Sequence, residues 1–178
     1  MLFRSDFKEA LRERVGLLKG LPVAALEQTW ARVRLTAGAQ ELVATMRAQG
    51  AVSALVSSGF TFFTRRAAAT LGFDLHRSNR LLDDGMVLTG EVAEPIRDRH
   101  DKVETLRELA GREGIELKAT LAVGDGANDL DMLQLAGLGV AYHAKPVVAE
   151  AARARVDHAN LRALLFAQGY DVREFCGV

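Results

Sequence analysis

The sequence holds a single cysteine, Cys176, close to its end. One thiol cannot build an internal disulfide framework, so the fold is expected to rest on a packed core in a reducing, cytoplasmic setting. Excess charge of either sign is also lacking: 23 lysines and arginines balance 23 aspartates and glutamates. Without a global basic field, nothing argues for a nucleic-acid partner. No apolar run approaches the roughly 20 residues that a membrane-spanning helix requires, so no membrane partner is expected either. The opening Met-Leu-Phe-Arg-Ser-Asp-Phe-Lys-Glu is too charged for a secretory signal, and no internal repeat or low-complexity stretch is visible. What remains is an ordinary globular balance, 49% hydrophobic and 26% charged over 178 residues, enough for one core carrying a small cap.

Periodicity predicts a helix over residues 6–19, where Phe7, Leu11, Val15 and Leu18 recur at three- and four-residue steps. Gly20-Leu21-Pro22 stops it, and residues 23–33 read as a second short helix. The two are expected to form a helical cap over residues 1–35, followed by an α/β core over 36–178. In the core, a helix over 39–49 closes at Gly50, and a small apolar strand over 51–56 runs into the turn Ser57-Ser58-Gly59-Phe60. A helix follows over 61–71, and a hairpin over 79–89 turns at Asp84-Gly85. Further helices are expected over 98–111, up to Leu135, from Lys145-Pro146 to Ala151, and over 161–167, with strands over 120–123 and 139–142 between them. Strands alternating with helices predict a mostly parallel sheet whose ligands bind beyond the strand carboxyl ends.

The densest chemistry follows the apolar run Thr120–Val123, in Gly124-Asp125-Gly126-Ala127-Asn128-Asp129. Gly124 and Gly126 are expected to allow backbone angles that other residues resist, presenting Asp125 at the end of a strand. Asp129 stands four residues on, and no lysine lies near in sequence to pair the two carboxylates. That pattern suits a hard dication such as Mg2+, which takes oxygen ligands and keeps waters for a phosphate. It also suits an acidic loop that only caps a helix, with Asp125 or Asn128 as the cap. A calcium-binding EF-hand loop starting at Asp125 is excluded by Leu130 and Ala136 where Gly and Glu are needed, and a dinucleotide fingerprint by Asp129 in place of its third glycine. Ser57 and Ser58, at a strand end before a helix, suit a phosphate but also ordinary turn and cap roles. Lys102, in a first helical turn, opposes the helix dipole, which hints at a task, although a lysine reaching into solvent is the commoner case.

In this order, the motifs resemble the haloacid dehalogenase superfamily, and within it the phosphoserine phosphatase branch. Ser57-Ser58-Gly59-Phe60 resembles the family's hydroxyl motif, Lys102 its phosphate-neutralising lysine, and Gly124–Asp129 its metal loop. Phe7–Arg14 with Leu17-Leu18-Lys19-Gly20 is similar to that branch's cap helix, as are Asp84-Gly85 and Leu88-Thr89-Gly90 to its hairpin. The resemblance implies a HAD-like Rossmannoid parallel sheet with a helical cap, and a Mg2+-dependent phosphomonoesterase acting on O-phosphoserine in serine biosynthesis. It implies that Asp125 ligates Mg2+ and Asp129 supports that site. Ser57, the Ser58 amide and Lys102 would hold the phosphate, and Asn128 would hydrogen-bond near it. Phe7 would cover the substrate and Arg14 would take its carboxylate. Taken alone, Phe7 reads as a core residue and Arg14 as a solvated charge. Ser58 departs from the family, which usually has glycine there.

The family's nucleophile, the first aspartate of Asp-x-Asp-x-Thr on a strand before the cap, has no counterpart in these 178 residues; Asp129-Leu130-Asp131 lies inside the metal loop. Little or no turnover is therefore expected from this chain alone. The family also places that first strand centrally, between the Ser57 and Asp125 strands. The expectation is that the gap is closed by direct pairing, filled from another copy, or belongs to a longer protein. An alternative class is a non-catalytic phospho-ligand binder, as a homodimer or strand-complemented remnant, or a phosphatase or phosphotransferase with another small substrate.

Overall fold

The computed structural model describes residues 3–177, so the first two residues of the expected cap and the last of the expected core lie outside it. Its helices are α1 (Phe3–Gly16), α2 (Ala24–Trp30), α3 (Ala39–Ala48), α4 (Thr61–Leu71), α5 (Arg99–Glu113), α6 (Leu130–Leu135), α7 (Pro146–Ala151) and α8 (Ala163–Ala167). Its strands are β1 (Ala54–Phe60), β2 (Leu75–Asn79), β3 (Leu81–Asp83), β4 (Leu88–Val92), β5 (Leu121–Gly124), β6 (Leu138–Tyr142) and β7 (Ala154–Val156). The chain forms two compact units, each made of two stretches: the residues through Leu35 with Ala54–Asp98, and Thr36–Ser53 with the residues from Arg99 onward. Residues 54–98, expected with the core, thus share a unit with the expected cap.

In the first unit the apolar stripe of α1 does what its spacing predicts. Leu11 and Val15 are buried with Leu26, Leu81, Leu88, Val92 and Ile96, and Phe7 and Leu18 pack against the same cluster. A helix of 14 residues is marginal alone. Burying side chains of this size contributes about 1.5–3 kcal/mol each, so packing against β4 and its neighbours holds α1 in place. Strands β1 and β2 pair in parallel from Ala54↔Leu75 to Phe60↔Asn79, with an irregular register between Val56 and Phe60. Strands β3 and β4 pair antiparallel around the expected Asp84-Gly85 turn, where the Asp84 Oδ1 accepts the Met86 and Val87 amides, each at 2.9 Å.

Two expectations change here. The strand expected over 51–56 runs instead through Phe60, so Ser57 and Ser58 lie within β1 and α4 starts directly after it. The polar stretch Leu75-His76-Arg77-Ser78-Asn79, for which no element was expected before the hairpin at 79, is a strand, because pairing with β1 supplies what its propensity does not.

The second unit carries a parallel sheet in the order β5-β6-β7. Ala122, Leu133, Ala136, Ala141 and Val148 form its core beside that sheet, and Leu164 and Leu165 of α8 are fully buried. Thr45 of α3, also fully buried, accepts the Cys176 amide on its Oγ1 at 2.8 Å, which ties the last residues of the chain to α3. Strand β7 was not anticipated. Among the described residues β1 has β2 as its one paired strand, and β5 has β6, so the architecture is α/β with parallel pairs and one antiparallel hairpin. The direct pairing of the two site-bearing strands, one of the expected outcomes, is not among these ladders.

Candidate active site

The residues singled out from the sequence fall evenly between the units: Phe7, Arg14, Ser57 and Ser58 in the first, Lys102, Asp125, Asn128 and Asp129 in the second. In the second unit three of the four are linked by contacts that place them. Lys102, in the first turn of α5, is 7% exposed, and its ammonium makes an ion pair with the Oδ1 of Asp129, itself 4% exposed. The other oxygen of Asp129, Oδ2, accepts the amides of Asp125 at 3.2 Å and Gly126 at 3.0 Å. One buried carboxylate thus neutralises a buried lysine and folds the 125–129 loop around itself. Pairing is what makes these two buried charges tolerable, since an isolated one would pay a large desolvation penalty.

This geometry corrects three expectations. A lysine does pair one of the two carboxylates: Lys102, distant in sequence, is brought onto Asp129 by the packing of α5 against the loop. It does not reach into solvent. The carboxylate that accepts amides at the start of this turn is Asp129, rather than Asp125 or Asn128. Finally, Gly124 and Gly126 do not take the left-handed backbone region that would require glycine. A Cβ on Gly124 would lie 2.4 Å from the Cβ and Cγ of Asp129, and one on Gly126 would lie 2.4 Å from the Asn128 Oδ1. Space, not backbone angle, demands Gly124; at Gly126 the clash is only with the movable end of the exposed Asn128 side chain.

Asp125 is left exposed at the end of β5, and its carboxylate makes no hydrogen bond or ion pair among the described residues. Asn128 is exposed beside it. Among the described residues no three His, Cys, Asp or Glu side chains converge as a metal cage. One uncommitted carboxylate is nonetheless a fitting anchor for Mg2+, which commonly keeps several waters and binds through one or two carboxylates together with a phosphate. Asp129, expected to support that site, already carries three contacts on its two oxygens.

In the first unit the Ser57 hydroxyl accepts the Gly59 amide at 3.0 Å, which leaves its own proton free to donate elsewhere. The Ser58 carbonyl accepts from the side chain of Asn79, a residue the sequence reading had assigned only to the start of a hairpin. Phe7 is half-buried against the apolar cluster, as its core reading had it. Arg14 is exposed in the last turn of α1 with no ion pair among the described residues, so its guanidinium is open to an anionic ligand. Two exposed pairs also went unforeseen. Arg12 meets Glu94 at 2.6 Å, and Arg66, lying 3.6 Å over the Phe62 ring, pairs with Glu27 of α2.

The family model described as haloacid dehalogenase-like hydrolase matches residues 1–134. The chain belongs to that family. It is 45% identical over 155 residues to a phosphoserine phosphatase of Archaeoglobus fulgidus, covering 87% of this chain and 45% of that protein. It is also 45% identical over 166 residues to a phosphoserine phosphatase of Polaromonas, covering 90% of this chain and 70% of that protein. The unliganded crystal structure of a probable phosphoserine phosphatase from Vibrio cholerae superposes with a TM-score of 0.86 at 40% identity, covering 91% of this chain and 52% of that one. The chain therefore spans about half the length of some relatives and most of the length of others. As a haloacid dehalogenase-like hydrolase it shares their parallel α/β architecture, and among the described residues no helix is long and apolar enough to cross a membrane.

Proposed function

We propose that the chain carries the phosphate- and metal-handling part of a phosphomonoesterase of the phosphoserine phosphatase type, hydrolysing O-phosphoserine to serine and phosphate in serine biosynthesis in the cytoplasm. The observation that carries this reading is the Lys102–Asp129 pair, with Asp129 folding the loop that presents an uncommitted Asp125. The similarity to phosphoserine phosphatases over nine-tenths of the chain supports the substrate.

Asp125 would hold Mg2+, with Asp129 positioning that loop rather than binding the metal. Once bound, Mg2+ would draw charge from the phosphate oxygens. Ser57 donates its free hydroxyl proton to a phosphate oxygen, and the Ser58 amide donates a second hydrogen bond. Lys102, held by Asp129, offsets charge that builds on the phosphate in transit. Asn128 donates from its side-chain amide, and Arg14 takes the serine carboxylate through its planar fork, with Phe7 as an apolar cover. The attacking carboxylate is not among these residues, so these 178 residues alone bind substrate rather than turn it over.

Calorimetry with O-phosphoserine, with and without Mg2+, and a phosphate-release assay test this together. The expected result is binding that Mg2+ strengthens, that Asp125→Asn makes indifferent to Mg2+, and that Arg14→Met weakens for phosphoserine more than for inorganic phosphate. Phosphate release stays at background. Brisk release abolished by Asp125→Asn would overturn the claim that an essential carboxylate is absent; no binding of phosphoserine or phosphate would overturn the whole reading. A second reading, a binding module completed by a strand from another copy, is favoured by the one-sided pairing of β1 and β5. It predicts a dimer by light scattering.

A further inference from the structure

We infer that Asn79, at the end of β2, is a positioning residue for the phosphate-binding hydroxyl of Ser57, an inference that rests on the role proposed above for that serine. Asn79 is 2% exposed, and every polar atom of its side chain is used. Its Oδ1 accepts the Arg97 amide at 2.7 Å, and its Nδ2 donates to the Ser58 carbonyl at 2.9 Å and to the Arg97 carbonyl at 3.1 Å. The assignment of oxygen and nitrogen is not open to a flip, because a backbone amide can only donate and a carbonyl can only accept.

The Ser58 carbonyl and the Gly59 amide are two ends of one peptide group. Asn79 holds the carbonyl end, and the amide end donates to the Ser57 hydroxyl at 3.0 Å. The peptide plane therefore cannot rotate without breaking one bond or the other. While it is fixed, a lone pair of the Ser57 oxygen is occupied and the hydroxyl proton is left to donate. If the plane turns, that oxygen becomes an acceptor seeking a donor, the wrong polarity for an anion. The plane lies where the β1–β2 register is irregular, between Val56 and Phe60, so the ladder does not fix it. Thr61, whose Oγ1 donates to the Asn79 carbonyl at 2.9 Å, secures Asn79 from the first residue of α4.

The test is a double-mutant cycle read by calorimetry with inorganic phosphate, at a temperature where circular dichroism shows every variant folded. Asn79→Asp keeps the shape and the acceptor but loses both donors; Asn79→Ala removes both donors without added charge. Ser57→Ala should weaken phosphate binding about tenfold, the worth of one hydrogen bond to a charged group, and Asn79→Asp by a similar factor. The double variant should be no weaker than the worse of the two, because Asn79 acts through Ser57. Unchanged phosphate affinity in folded Asn79 variants, or losses that simply multiply, would overturn the inference. A purely structural asparagine would lower the melting temperature without this coupling. If Ser57→Ala has no effect, the phosphate reading itself fails and takes this inference with it. Should no Asn79 variant fold, the unaltered protein still decides. Phosphate should move the NMR signals of the Asn79 side-chain amide and the Gly59 amide together, with no shift in Ser57→Ala; signals that stay still would overturn it.

Discussion

The ends of β1 and β5 present polar groups by opposite means. At β1 the anchoring side chain is a neutral amide, Asn79, whose bonds all go to backbone atoms. At β5 the anchor is an ion, Asp129, which shares its two oxygens between a buried lysine and two loop amides. A neutral clamp fixes geometry without setting up a field, so it suits a hydroxyl whose direction alone matters. An ionic clamp fixes geometry and supplies charge, and it is the riskier device: removing one partner leaves the other charged and buried. The two loops should therefore respond unequally to perturbation.

The sharpest way to break that contrast is Asp129→Ala. It strands the Lys102 ammonium and two loop amides, and should cost about 3–5 kcal/mol in urea unfolding. A loss near the ~1–3 kcal/mol expected of an unsatisfied neutral partner, as in Asn79→Ala, would put both anchors in one class. Next in size is Gly124→Ala, where a methyl group would meet the side chain of Asp129 at 2.4 Å. Overpacking of this kind should cost about 1–3 kcal/mol and weaken the Mg2+ response more than the phosphate affinity. Equal loss of both would detach Gly124 from the carboxylate loop. The smallest effect concerns Glu94, whose carboxyl is held below the ordinary glutamate range by the hydrogen bond from Arg12 and then by the Ile96 amide. A carboxyl lowered in the folded state contributes stability above its unfolded value and loses it as pH falls through the lowered one. Glu94→Gln should therefore lower stability slightly at neutral pH and flatten the acid side of the profile, leaving the acid limit itself almost untouched. An unchanged acid limb would show that the pair does not help hold α1.

What could be read beforehand follows from what each signal measures. The α1 stripe, the span of α4 from Thr61 to Leu71 and the Asp84 turn are local patterns, and all three are present. The α/β class and the family were legible because four motifs stood in order. The pairing of Lys102 with Asp129 was not, since it joins residues 27 apart through the packing of a helix on a loop. Strand β2 was missed because its residues are polar and its state is imposed by β1. Asn79 had one available signal, a lone amide where a polar strand ends against a Ser-Ser-Gly segment, but nothing in spacing says which backbone atoms it will meet.

The interleaving of the two units has a consequence for the chain while it is being made. Helix α3 belongs with residues from Arg99 onward, and the Oγ1 of its Thr45 accepts an amide 131 residues later. At the usual ~5–20 residues per second, that partner arrives roughly 7–26 s after Thr45 has been added. Through most of that interval α3, whose Ala39 and Val43 end up buried, has no α8 to pack against, whereas every residue of the first unit has been added by Asp98. Helix α3 therefore waits longer for its packing partners than any helix of the first unit does.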